Sequence, residues 1–144
     1  MKNFLLFFLL LLTMNLYAQK RHALVIGIGN YPKETGWQTI HGDVDADSIE
    51  AMLQRAGFDD IKTMKNSAAT KVAIVKAFEN LARQSSEGDI VYIHFSGHGQ
   101  QMIDRNSDES DRRDESWIPY DAYRKPNPND MGEKHLVDDQ YDCR

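Results

Sequence analysis

The chain has 144 residues, a net charge of −5 and 41% hydrophobic residues, enough for one domain with a modest core. The acidic excess, concentrated after Asp104, argues against nucleic acid as a partner, for which a basic face would be needed. Cys143 is the single cysteine, which excludes an internal disulfide framework.

Lys2, the apolar run Phe4 to Leu12 and the small residue Ala18 before Gln19 read as a cleavable signal peptide over residues 1–18. The run is shorter than the roughly 20 residues that span a bilayer. An uncleaved N-terminal anchor is the competing reading. No cysteine follows the run, so a lipid anchor is not expected. Residues 19–144 would then be one exported domain, periplasmic or extracellular, with no membrane span after cleavage.

His22 to Ile28 reads as a buried strand, followed by a loop that begins with Gly27, Gly29, Asn30 and Pro32. Ile49, Met52, Leu53 and Ala56 follow helical spacing, with Asp45 or Asp47 near the start and Gly57 as the stop. Asp60 to Lys65 is a second strand. Thr70 caps a second helix whose inner face is Ile74, Val75, Phe78, Leu81 and Ala82. Ile90 to Phe95 is a third strand. The order is β-α-β-α-β, and the strands are apolar throughout rather than alternating. That predicts a parallel sheet with helices on both faces and a site beyond the carboxyl ends of the strands. From Met102 to Gln140 the chain is polar, Asp-rich and broken by Pro119, Pro126 and Pro128.

The third strand runs into Ser96-Gly97-His98-Gly99. The glycines end the strand and leave little bulk around His98, a placement that suits general acid/base work. A structural histidine is the alternative, but glycines on both sides need a reason. Other motifs fall short. The third glycine of a dinucleotide loop would fall at Pro32. His94 and His98 have zinc-chelating spacing only on a helix, and no Glu follows His94; His94 is expected to make a local hydrogen bond in its strand. Ser96 lacks the G-x-S-x-G context. Asp104 to Glu115 has calcium-loop carboxylates, but Glu109 stands where an EF-hand needs Gly.

Taken together, the chain resembles the caspase-like cysteine peptidases, closest to metacaspase-like bacterial members. The resemblance rests on H-A-L-V-I-G-I-G-N-Y, Asp45-Ala46, Gly57-Phe58, Ala69-Thr70, Gly88-Asp89, F-S-G-H-G at Phe95 to Gly99, D-E-S-W-I-P-Y-D at Asp114 to Asp121 and H-L-V-D-D-Q at His135 to Gln140. It implies the N-terminal part of a caspase-like three-layer α/β sandwich. It also implies a Cys-His dyad endopeptidase acting on polypeptides. His98 matches the dyad histidine, and the Gly99 N–H an oxyanion donor. Asp45 matches the acid of a basic P1 pocket for Arg or Lys. Asp114, Asp138 and Asp139 match carboxylates that bind activating calcium in some metacaspases; no cofactor is implied for the chemistry itself.

The family nucleophile follows a further apolar strand in a D-x-C-H-S-G-like context. Cys143 lies within the roughly 50-residue spacing of the caspase signature, but Gln140-Tyr141-Asp142 supplies no such strand. Cys143 is therefore read as incidental. The chain is expected to be an incomplete catalytic domain, inactive as it stands, with an open apolar sheet edge. A non-catalytic peptide-binding module and an exported calcium-binding domain are the alternative readings.

Overall fold

The computed structural model describes residues 19–103 and 113–137. The strand β1 (Arg21–Gly27) has its side chains buried almost throughout, so it must be covered on both faces and paired on both edges. It pairs in parallel with β2 (Asp60–Lys65) on one side and β3 (Ile90–Ser96) on the other. Alternation along β1 sorts the core into two. Leu24, Ile26 and Ile28 meet Ile74, Ala77 and Leu81 of α2 (Lys71–Gln84). Ala23 and Val25 meet Ala46 and Leu53 of α1 (Gly42–Arg55). The helices therefore lie on opposite faces, and the expected layered α/β architecture is present. Each large apolar side chain buried this way contributes about 1.5–3 kcal/mol.

Local signals set the helix ends. Thr70 Oγ1 accepts from the Ala73 N–H at 3.4 Å and caps α2. Gly57, at φ +80°, takes the left-handed conformation that closes α1. The inner faces are rotated from expectation. Met52 and Ala56 are exposed, and Ala46, Ile49 and Leu53 face the sheet. Ala82 is also exposed, and Ala77 takes the buried place instead. The helices begin upstream of the first apolar residue used to phase them, so small residues that carry little hydropathy occupy the contact.

The polar stretch after Met102 is not loop alone. β4 (Gly99–Ile103), β5 (Arg113–Trp117) and β6 (Leu136–Val137) form a second, antiparallel sheet. The inward residues of β5 are Asp114 and Ser116, each about 3% exposed, so no hydrophobic alternation announces it. Trp117 stacks on Phe95 at 4.6 Å and joins this sheet to the end of β3.

At the amino end of the main sheet, His22 is buried. Its Nδ1 lies 2.6 Å from Asp60 Oδ2, and its Nε2 faces Asp89 Oδ2 at 3.5 Å, too long for a good hydrogen bond. One imidazole thus sits among the starts of all three strands. β3 is an outer strand among the described residues, and Ile90, Val91 and Ile93 are 38–44% exposed. Such an edge favours association with another chain.

Gly42 begins α1 against the backbone of two strand ends. A Cβ there would lie 2.4 Å from the Ser96 carbonyl oxygen and 2.6 Å from that of Ile28. Asp130 organises the turn before β6. Burial alone would raise its pKa, but the Tyr123, Gly132 and Lys134 N–H groups all donate to it, and together they hold it below the usual carboxylate range.

Two outcomes are expected. Gly42→Ala destabilises by about 1–3 kcal/mol through overpacking, despite a helix-propensity gain of up to about 1 kcal/mol. The readout is a lower urea midpoint at unchanged slope, and an unchanged midpoint would count against the contact. Asp130→Asn lowers the melting temperature at neutral pH. The folded pKa is depressed, so the stability it contributes is present above the unfolded value and lost as pH falls below about 4. The gap between wild type and variant should close in that acid range. A gap independent of pH would remove the carboxylate's role.

Candidate active site

His98 sits at the corner where β3 hands over to β4, and both of its backbone groups are pinned. Its N–H donates to the Tyr31 hydroxyl at 3.1 Å. Its carbonyl accepts from the Ile118 N–H at 3.0 Å. The Tyr31 hydroxyl donates in turn to the Ile118 carbonyl at 3.0 Å. Burial pushes the Tyr31 pKa up to about 12, partly offset by the His98 amide, so the hydroxyl keeps the proton this bond needs.

The ring is fixed as well. His98 Nε2 lies 2.9 Å from the Gln38 carbonyl oxygen. A carbonyl can only accept, so Nε2 is the protonated nitrogen and, in the neutral ring, Nδ1 carries the lone pair. Trp37 stacks on the imidazole at 4.9 Å and 26°, and Tyr31 lies 5.2 Å away. The arrangement can accept a proton at Nδ1 without reorienting, which is what a general base requires.

The glycines flanking His98 differ in purpose. A Cβ on Gly97 would lie 2.7 Å from the Phe95 ring and 2.9 Å from the Tyr31 hydroxyl. Gly97 is therefore a packing requirement. A Cβ on Gly99 would meet only the Ser116 carbonyl oxygen, at 3.6 Å. Gly99 stands opposite Trp117, and the ladder bond beside this pair runs from Ile118 N–H to His98 O. In an antiparallel ladder such a pair points its own N–H away from the partner strand. The Gly99 N–H is thus directed off the outer edge of β4, beside His98, as an oxyanion donor must be.

Asp45 lies in the first turn of α1, exposed, and its Oδ2 accepts from Ser96 Oγ at 2.7 Å. The fold brings it to the carboxyl end of β3 with His98, although the two are far apart in sequence. Nearby, Asn66 donates to Asp43 at 3.1 Å and accepts from the Gly29 and Asn30 N–H groups. Asn66 chiefly holds the Asp43 carboxyl below its ordinary pKa. This network shapes the loop after β1.

Asp114 is placed elsewhere, buried in β5 opposite Met102. Asp138, Asp139 and Cys143 lie outside the described residues. Among the described residues no group of three His, Cys, Asp or Glu side chains could hold a metal. Calcium takes six to eight oxygens, and of the three expected carboxylates Asp114 alone lies among the described residues. His94 Nε2 is buried without a hydrogen-bond partner, so the expected local bond is not made at that nitrogen.

Sequence reading missed Tyr31, Trp37 and Gln38. Tyr31 stands at the end of H-A-L-V-I-G-I-G-N-Y, and for Trp37 the signal was an aromatic residue in a Gly- and Pro-containing loop. Gln38 acts through its backbone carbonyl, which no sequence pattern encodes.

With this geometry in place, comparison with known proteins is decisive. The sequence profile of the caspase domain, a peptidase family, matches residues 20–140. The chain belongs to the caspase-domain family. Among the relatives of this caspase domain, Metacaspase-1 of Mycosarcoma maydis is 31% identical over 127 residues, covering 82% of this chain and 31% of that protein. Metacaspase-1B of Aspergillus clavatus is 33% identical over 132 residues, covering 84% of this chain and 29% of that protein. A crystal structure of a protein from Geobacter sulfurreducens superposes with a TM-score of 0.64 at 30% identity, covering 84% of this chain and 42% of that one. The caspase domain described here thus spans about a third of the curated relatives it matches. The family is one of cysteine peptidases, whose substrates are polypeptides. Among the described residues, no helix is long and apolar enough to cross a membrane.

Proposed function

We propose that this caspase domain supplies the base, the oxyanion donor and the P1 pocket acid of a cysteine endopeptidase that cleaves after Arg or Lys. The observation that carries the reading is the His98 ring, held by the Gln38 carbonyl so that Nδ1 is the basic nitrogen beside a Gly99 N–H directed off the strand edge. A cysteine thiol brought opposite this corner loses its proton to Nδ1. The thiolate attacks the scissile carbonyl, and the Gly99 N–H donates to the oxygen that gains charge. His98 then gives the proton to the leaving amine as the C–N bond breaks. Water, deprotonated by the same nitrogen, releases the acyl group from sulfur.

The nucleophile in this reading is a cysteine carried to the sheet end by a further strand, and Cys143 is not assigned the role. Asp45 pairs with the guanidinium or ammonium of the P1 side chain, with Ser96 fixing one carboxylate oxygen. Residues 1–18 act as an export leader, so the domain works outside the cytoplasm.

In a form that includes the nucleophile, His98→Ala should lower kcat/KM by roughly a thousandfold or more. Retained turnover would sink the assignment. Asp45→Asn should lower kcat/KM for Arg and Lys substrates by about tenfold to a hundredfold and leave substrates with apolar P1 groups unchanged. Equal loss on both would remove Asp45 from the pocket. Mass measurement of the exported protein should place its first residue at Gln19.

A further inference from the structure

Tyr31 and Trp37 touch opposite parts of His98 and are anchored to the same short segment. The Tyr31 hydroxyl bridges the His98 N–H and the Ile118 carbonyl. The Trp37 ring lies on the imidazole, and its Nε1–H donates to the Ala122 carbonyl at 3.0 Å. Arg124 adds a guanidinium 5.9 Å from the Trp37 ring, and its N–H donates to the Thr35 carbonyl at 2.9 Å. The segment itself is tied to the start of α2. Tyr120 N–H donates to the Ala69 carbonyl at 2.9 Å, and Asp121 accepts from the Lys71 N–H at 2.9 Å.

We propose that Tyr31 and Trp37 are positioning residues for His98, and that the segment Ile118–Ala122 is the frame that holds both. The proposal deepens the reading of His98 as the base and rests on it. Its physical content is a division of labour. Tyr31 fixes where the His98 backbone lies. Trp37 fixes the plane of the ring, and Gln38, next in the chain, then meets Nε2. Without the stacked indole, the ring can turn about χ2 and the Gln38 carbonyl loses its fixed approach. Nδ1 would then be basic only part of the time. Trp37 and Tyr31 need touch neither substrate nor nucleophile to act this way.

The test is the tautomer of His98 in the 15N-labelled chain at about pH 8.5, above the ordinary histidine value of about 6.5. In the wild type the two ring nitrogens should give well-separated shifts, one protonated and one not. Trp37→Leu keeps apolar bulk and removes the aromatic face. It should shift the tautomer ratio by about twofold to tenfold and draw the two shifts together, and Trp37→Phe should restore most of the separation. Tyr31→Phe should move the His98 backbone amide signal and broaden the ring signals. The dispersion of the remaining amide signals reports whether each variant is folded. Should Trp37→Leu lose that dispersion, Trp37→Met takes its place under the same criterion, with shifts drawn together supporting the stack and wild-type shifts overturning it. A folded Trp37→Leu with wild-type ring shifts overturns the clamp, as does a wild type with averaged shifts. Because the readout is a proton position and not turnover, it separates the two claims. Activity that survives His98→Ala removes the base assignment alone.

Discussion

Gly42 occupies a place where no side chain fits. Its Cα faces the carbonyl oxygens of Ile28 and Ser96, one at the end of β1 and one just at the end of β3. Gly27 faces it from β1, where a Cβ would lie 2.3 Å from the Gly42 carbonyl oxygen. Backbone-to-backbone packing of this kind is available only to glycine. It presses the start of α1 onto the carboxyl end of the sheet. Asp45 therefore falls in the helix turn that reaches Ser96. Moving the helix start outward by the radius of a methyl group would lengthen the Asp45–Ser96 bond.

The two ends of the main sheet are built differently. At the amino end, buried His22 lies between Asp60 and Asp89, and the Asp89 carboxyl is held below its ordinary pKa first by the Lys20 and Ser86 N–H groups. These contacts join strand starts. At the carboxyl end, the polar groups are arranged around openness. Backbone amides and carbonyls of His98 are satisfied by Tyr31 and Ile118, so that the imidazole, the Gly99 N–H and the Asp45 carboxylate remain directed outward. A buried polar group must be paired or it costs stability. The fold meets that demand for the backbone and leaves the side-chain chemistry available.

The second sheet gives this end its rigidity. Phe95 and Trp117 stack almost parallel, at 7°, and Phe78 of α2 lies 6.3 Å from the same indole. The corner that carries His98 is thus closed between two sheets and a helix rather than hanging from one strand. Asp130 does comparable work further along. It accepts three backbone N–H groups and fixes the turn that leads to β6.

The sequence by itself determined the layered core, because its signals are local and strong. Apolar runs specified β1, β2 and β3, Thr70 and Gly57 marked helix ends, and Ser96-Gly97-His98-Gly99 marked the corner that ends β3. Family resemblance added Asp45 and the Gly99 amide, which no local pattern singles out. Only the tertiary structure decided the rest. β5 escaped notice because its buried residues are polar and find their partners across a sheet. Helix faces were misphased where small residues make the closest contacts. Tyr31, Trp37 and Gln38 became site residues through contacts some 60 positions away in the chain. Periodicity reports which residues leave water, but pairing of a proton donor with an acceptor is fixed by geometry that forms only when distant segments meet.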